Sequence, residues 1–315
     1  MDELDVKILR SLISERAVSP SNANVKLSLR GIAARIGADD MTVRYRYNRL
    51  QESNCLSIWS LLVNPSYFGY GVAEVMVDVQ PESAKPDTIR KLKLIHEITG
   101  LVNCYGRAIQ LFVIYNGEDS RARTIELISR ITNAEKISLS RMPMPPSLTK
   151  NLTETDVAIV RALSKDARKS TVLIAKELGL SSKTVRKRVD KLRRDNTILP
   201  LPILNIASIP GIIPIYLTYA YTKREVNTSV DREVISQFDK NYIMGSFSDR
   251  EAGNIVSGAL TMAEVPTILE WAKSQHGIAT ARVDIATETF MFPEKLIELL
   301  EVRKQVEPLQ EESAR

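Results

Sequence analysis

The chemistry this chain could do is concentrated where its cations crowd. From Ser181 to Asn196 the sequence reads SSKTVRKRVDKLRRDN. Lys183, Arg186, Lys187, Arg188, Lys191, Arg193 and Arg194 stand there against only Asp190 and Asp195. Cations at this density can neutralise phosphates, and arginine or lysine can also donate to guanine O6 and N7. Val185, Val189 and Leu192 fall at i, i+4 and i+7, so they share one stripe and leave the other positions to charge. Ser181 is placed to cap the first turn, and Asn196 suits a left-handed residue after the last. The spacing predicts one helix, held by a narrow apolar edge, with a positive surface. The plainer alternative is a solvated amphipathic helix that only packs on its neighbour.

Other chemistries find little footing. Cys55 and Cys104 are the only cysteines and His96 and His276 the only histidines, and neither pair has metal-ligand spacing. There is no phosphate-cradling glycine loop and no GxSxG elbow. Glu225, Asp231 and Glu233 read as surface charges. No catalytic residue, metal or cofactor is expected. The net charge of +5 is a mild basic excess, informative only through its concentration on particular helices. MDELDVKILR begins with acids and has no long apolar run, unlike a signal peptide. The tract Ile203 to Ala220 is interrupted by Asn205, Pro210, Gly211 and Pro214, so a buried strand is expected there and not a membrane span. These readings predict a cytoplasmic, nucleoid-associated protein.

The cationic helix needs elements to position it. Thr171 to Leu178 reads as a short helix closed by Gly179, which with the helix after it makes a helix-turn-helix pattern. ILPLPIL follows Asn196 and Thr197 where a wing would sit. The whole arrangement occurs twice. IAARIGADDMTVRYRYNRLQESN (Ile32 to Asn54) matches IAKELGLSSKTVRKRVDKLRRDN (Ile174 to Asn196) at one constant offset, and DELDVKILRSL matches TETDVAIVRAL upstream. The first copy carries an insert containing SPSNANVK, of loop composition. Expected helices are Leu4–Ser14, Leu29–Ile36 and Asp40–Ser53, then Glu154–Ser164, Thr171–Leu178 and Ser182–Asp195, with LSIWSLLV as the first wing.

Each triple is followed by a β-α-β-β-α-β succession. In the first half it runs through GVAEVMVDVQ, PDTIRKLKLIHEI, LVNCYGRAIQLFVIY, RARTIELISRITN and KISLSRMP. In the second it runs through PIYLTYAYT, DREVISQFDK, NYIMGSF, GNIVSGALT, VPTILEWAKSQ and ATARVDIATETF. The fold class is therefore α+β: two winged helix-turn-helix units (1–63 and 147–204) alternating with two ferredoxin-like βαββαβ units (64–146 and 205–315). MPMPPSLTKN is expected to be an extended spacer. PEKLIELLEVRKQVEP is expected to be a final helix on the second βαββαβ unit or on a partner chain, before a frayed EESAR tail.

LTETDVAIVRAL followed by IAKELGLSSKTVRKRVDKLRRDNTI resembles the Lrp/AsnC family of prokaryotic transcription regulators, here in tandem form. The resemblance rests on the first helix, the turn and a recognition helix with a serine start and the pair Arg188–Val189. Asn54 and Asn196 stand where that family usually has glycine. The resemblance implies double-stranded DNA as partner, homodimerisation through RAM-like βαββαβ domains, and in some members an amino-acid effector. Its effector pattern has an acid soon after a glycine in the middle strands. Here Gly106 precedes Arg107, Ala108 and Ile109, and Gly245 precedes Ser246, Phe247, Ser248 and then Asp249.

The N-terminal part of a recognition helix meets base edges. Ser182, Lys183 and Arg186 are therefore expected at bases, with Ser181 and Thr184 beside them and Lys187, Arg193 and Arg194 on phosphates. In the first copy Thr42, Arg44, Tyr45, Arg46 and Arg49 are the corresponding candidates, although Asp39 and Asp40 are poor neighbours for phosphate. Two competing functions are a protein-interaction scaffold and a siroheme-decarboxylase-like enzyme. The latter would need histidine and arginine beside a tetrapyrrole.

Overall fold

The computed structural model describes residues 2–13, 28–142, 144–164, 166–205, 208, 211–238, 243–248 and 252–300. The insert SPSNANVK, Asp249 and the EESAR tail lie outside them. Three helices open the chain, α1 (Glu3–Ile13), α2 (Leu29–Ile36) and α3 (Asp40–Glu52), followed by strand β1 (Leu56–Val63). Next come β2 (Gly71–Asp78), α4 (Lys85–Lys93), β3 (Ile98–Cys104), β4 (Ala108–Tyr115), α5 (Gly117–Thr132) and β5 (Ile137–Met142). The second half repeats the order with α6 (Glu154–Ser164), α7 (Thr171–Leu178), α8 (Ser182–Arg194) and β6 (Ile198–Leu204). It continues through β7 (Ile213–Tyr221), α9 (Asn227–Gln237), β8 (Met244–Ser248), β9 (Ala252–Ala259), α10 (Glu264–Ser274) and β10 (Ile278–Met291). The α+β class and the order of elements are those expected.

The strand after each helical triple does something the sequence pattern does not show. β1 and β6 pair with each other, antiparallel, from Leu56 opposite Leu204 to Val63 opposite Ile198. Their apolar runs are largely buried: Leu56, Trp59, Leu61, Val63, Ile198 and Leu199 all belong to the core. Each first helix also crosses over, α6 packing on β1 and α1 on β6. The expected wings are thus the two strands of one ribbon that joins the helical units. Apolar residues on both of its faces demand that burial.

The remaining strands form one eight-stranded sheet in the order β5-β2-β4-β3-β10-β7-β9-β8. β10 is long enough to serve both halves. Its residues 278–285 pair with β7, and 286–291 pair with β3. Strand alternation then sorts the side chains. Ala73, Val75, Val77, Ile109, Leu111 and Val113 share a core with Ile89 and Leu92 of α4 and Ile128 of α5. The other face carries Val72, Ala108 and Ile114, which cluster with Tyr216, Val256 and Ala286 of the second half. The two ends of the order, β5 and β8, approach one another, so the sheet folds over on itself. Arg282 on β10 fastens the junction, donating to both carboxylate oxygens of Asp78 (2.7 and 3.2 Å) and to Asp284 (2.7 Å).

One expectation is corrected. The helix predicted over PDTIRKLKLIHEI stops at Lys93, and Ile98 already belongs to β3. Leu94 is 84% exposed, so the apolar stripe does not continue. The last carbonyl of the helix and two beyond it are taken by Lys295, whose Nζ donates to those of Lys93 (2.8 Å), of Ile95 in the connection (2.6 Å) and of Ile98 at the start of β3 (2.9 Å). Lys295 sits in the final helical segment, 293–300, where Leu296 and Leu300 are buried. That segment is therefore tied to the first βαββαβ unit, a contact that the sequence reading does not include. The spacer is extended and held at points: Asn64 Nδ2 donates to the Pro145 carbonyl (2.8 Å) and the Leu148 N–H to the Asp195 carbonyl (2.8 Å).

Candidate nucleic-acid interface

α8 is built as its sequence suggests. Ser170 caps α7, and Gly179 ends it in the left-handed conformation at φ 64°. Ser181 then caps α8, its Oγ accepting from the Thr184 N–H at 3.1 Å. Val185, Val189 and Leu192 are buried and fix the rotation of the helix. Asn196, at φ 52°, takes the left-handed place after the last turn, as does Asn54 at φ 59° in the first half. Arg188 points to the first helix, donating to Asp156 Oδ1 and Thr153 Oγ1, both at 2.9 Å. Burial alone would raise the Asp156 pKa. The hydrogen bonds from Thr153 and Arg188 outweigh it and hold the carboxyl below its usual range.

This packing leaves Lys183, Thr184, Arg186, Lys187, Lys191 and Arg194 exposed, with Ser181 exposed and Ser182 half-buried at the start. Lys191 was not among the sequence candidates. It lies one turn beyond Lys187 on the same arc, and that i+4 spacing was the available signal. Arg193, expected on phosphate, is half-buried: its Nε is enclosed and has no hydrogen-bond partner among the described residues. Burial lowers its pKa, against the opposing charge of Asp190.

α3 has the same frame and another surface. Asp39 caps it, accepting from the Thr42 N–H at 3.0 Å, and Val43, Tyr47 and Leu50 are buried. Thr42, Arg44, Tyr45 and Arg49 are exposed. Arg44 is paired with Asp40 at 3.6 Å, and Arg49 lies over the Tyr45 ring at 5.9 Å. Arg46 is occupied elsewhere, bonded to Asp2 at 2.6 Å and Asp5 at 3.3 Å. It repeats the Arg188–Asp156 contact and so fastens α3 to α1 rather than facing outward.

Among the described residues no group of three or more His, Cys, Asp or Glu could hold a metal ion. Cys55 and Cys104 are buried, and burial pushes both thiols up to about 12. His96 and His276 are exposed, each in a turn just after a helix. No helix of the described residues is long and apolar enough to cross a membrane.

Two short helices joined by a left-handed glycine, the second capped and cationic, define a helix-turn-helix unit. Residues 152–193 match the AsnC-type helix-turn-helix domain. The chain is 31% identical over 106 residues to the HTH-type transcriptional regulator Ptr1 of Methanocaldococcus jannaschii, covering 34% of this chain and 66% of that protein. It is 33% identical to the HTH-type transcriptional regulator LysM of Saccharolobus solfataricus, covering 22% of this chain and 66% of that protein. The chain thus spans just under two thirds of the length of either relative. The crystal structure of the siroheme decarboxylase NirDL is similar in fold, with a TM-score of 0.55 over 98% of this chain and 100% of that one at 13% identity. Residues 152–193 are thus an AsnC-type helix-turn-helix domain, and the chain is similar to regulators of the Lrp/AsnC type.

Proposed function

We propose that this protein is a sequence-specific, DNA-binding transcription regulator whose principal reader is α8. The observation that carries the reading is the exposed arc of Lys183, Arg186, Lys187, Lys191 and Arg194 on a helix whose opposite edge is fully committed to packing. Ser182, Lys183 and Arg186, in the first turns, meet base edges. Lys187, Lys191 and Arg194 meet phosphates, and the free N–H groups at the helix start add to phosphate positioning. The first unit offers Thr42, Arg44, Tyr45 and Arg49 to the same duplex and contributes less, because Asp39 and Asp40 lie beside them. Two unlike readers on one chain call for two unlike half-sites about one helical turn, or a multiple, apart.

The edges of β3 and β10 that could join two chains pair within one, and the outer strands β5 and β8 lie near each other. Pairing of whole chains would therefore not use the β3 or β10 edge. An amino-acid effector, which the resemblance also implies, gains no support from Arg107, Ala108 and Ile109 after Gly106. A tetrapyrrole decarboxylase is the reading that NirDL suggests. Its chemistry would need histidine beside the ligand, whereas His96 and His276 lie on exposed turns.

Titration of labelled genomic duplex across a salt series tests the proposal. Affinity should fall steeply and linearly on logarithmic axes as phosphate contacts release counterions, with one sequence preferred over random duplex. Binding indifferent to salt would leave a protein-interaction scaffold as the better account. A colour developed on incubation with a tetrapyrrole would favour the enzyme.

A further inference from the structure

Beside α8, on the edge that carries Arg186, Asp190 and Arg193 at i, i+4 and i+7, lies a cavity of about 290 Å³. Its other wall is the segment leading into α7, with Arg168, Lys169 and Thr171. Four cations thus line one hollow against a single carboxylate, Asp190. Lys169 is also paired with Glu177, which does not line the hollow. The sharpest feature is Arg193. Its Nε–H is enclosed without an acceptor among the described residues, and its charge is held in a place where burial works against it. A buried donor on a charged group is costly unless something accepts from it. The first half has no equivalent charge: Gln51 and Asn48 stand where Arg193 and Asp190 stand here.

We propose that this cavity is a seat for a phosphate group. Arg193 presents a planar donor fork that matches its oxygens, and Arg186, Lys169 and Arg168 add charge around the hollow. The hollow is at the small end of ligand pockets, which run from roughly 300 Å³ upward. It suits one phosphate, carried either by the DNA backbone or by a small phosphorylated solute. The site also touches the seam between the helical units. Arg168 lies over the Trp59 ring at 5.3 Å, and the Ala167 N–H donates to the Trp59 carbonyl at 2.9 Å. An anion that draws Arg168 inward changes the surroundings of Trp59. The backbone source rests on the DNA-binding reading, and the solute source does not.

The test uses the full chain with Trp271→Phe, which leaves Trp59 as the only tryptophan. Inorganic phosphate is titrated against chloride at constant ionic strength, reading Trp59 emission and melting temperature. A saturable response to phosphate alone, weakened about tenfold or more in Arg193→Gln and partly restored in Arg193→Lys, supports a solute site. In a second arm, duplex affinity is measured across a salt series. A slope about one unit shallower in Arg193→Gln supports a backbone phosphate in the seat. No phosphate-specific response, together with an unchanged slope on a wild-type chain that binds duplex steeply with salt, overturns the site. A wild type without salt-dependent duplex binding sinks the DNA reading instead and leaves the phosphate titration to decide this one. Should Arg193→Gln fail to fold, the wild type still decides. Phosphate that neither shifts Trp59 nor competes with duplex at constant ionic strength overturns the proposal.

Discussion

α3 and α8 are one design with two surfaces. Both are capped by a side-chain oxygen, Asp39 in one and Ser181 in the other. Both follow a left-handed glycine, Gly37 or Gly179, and both are closed by a left-handed asparagine. Both bury three residues and spend a central arginine on an acid of the first helix of their unit. Apart from Tyr47 in place of Val189 on the buried edge, they differ mainly at the positions that packing leaves free. There α8 shows five cations, whereas α3 shows Arg44 tied to Asp40, Arg49 over Tyr45, and an exposed Met41. A handful of positions therefore fixes the scaffold, and the rest can drift in charge without disturbing it.

The most forceful way to break this comparison is to strip charge from each helix in turn. Lys187→Gln, Lys191→Gln and Arg194→Gln together should lower the salt slope of duplex binding by about 3 and weaken affinity at moderate salt by about a hundredfold. Arg44→Gln with Arg49→Gln should change affinity by no more than about threefold, because those cations already have local partners. Equal losses from the two sets, read by fluorescence anisotropy, would make the helices equivalent readers. Next in size is Arg186→Ala. It should cost about 1–3 kcal/mol of preference for the selected sequence. Binding to random duplex should fall less. An equal loss on both duplexes would move Arg186 from base reading to phosphate or to the cavity beside it.

A second asymmetry lies inside the folded sheet. Gln110 pairs across from Met76, and Asn254 from Thr218, so the two amides hold like places in the two halves. Both donate to one carboxylate, Glu74 of the first half. On β7 the corresponding inward residue is Tyr216. Glu74 is buried, and among the described residues no cation is bonded to it. Burial raises its pKa to about 7, against the two amide hydrogen bonds that pull it down. Between the ordinary value of 4.5 and about 7, the folded chain holds a proton that the unfolded chain has released. Stability should therefore fall as pH rises through that window and level off above it. Glu74→Gln should remove this slope and raise stability at pH 8 by on the order of 2 kcal/mol in urea titrations. The new amide can also donate to Gln110 Oε1, which is buried without a partner among the described residues. A variant with the wild-type pH slope would show that Glu74 is not the group responsible.

Much of the first comparison could be read from the chain. The helix bounds, the caps at Ser181 and Gly179 and the left-handed Asn196 follow from local chemistry, which short stretches carry in full. Pairing partners do not. LSIWSLLV announces a strand but not that its neighbour is ILPLPIL, and nothing in ATARVDIATETF says that one end leaves β7 for β3. The place of Arg46 against Asp2 and Asp5 is hidden for a related reason. Periodicity places a residue on an arc, but only the neighbouring helix or loop shows whether that arc is free. Lys295 is similar, because its three carbonyl partners lie about 200 residues earlier in the sequence.

The smallest effect tests the part the helices share. If Arg46 and Arg188 are fasteners, their loss should appear in stability and leave DNA affinity nearly unchanged. Arg188→Ala leaves Asp156 with Thr153 alone and should cost about 1 kcal/mol, since the pair is only partly shielded from water. Arg46→Ala should cost slightly more, roughly 1–2 kcal/mol, because Asp2 and Asp5 would then face each other without a cation. The folded-state pKa of Asp156 is depressed, so its contribution is present above the ordinary value of 3.8 and is lost as pH falls through the lower folded value. The gap in melting temperature between wild type and Arg188→Ala should therefore narrow in acid. A gap independent of pH, or duplex affinity that falls along with stability in Arg46→Ala, would return these arginines to the binding surface and remove the shared frame on which the contrast between α3 and α8 rests.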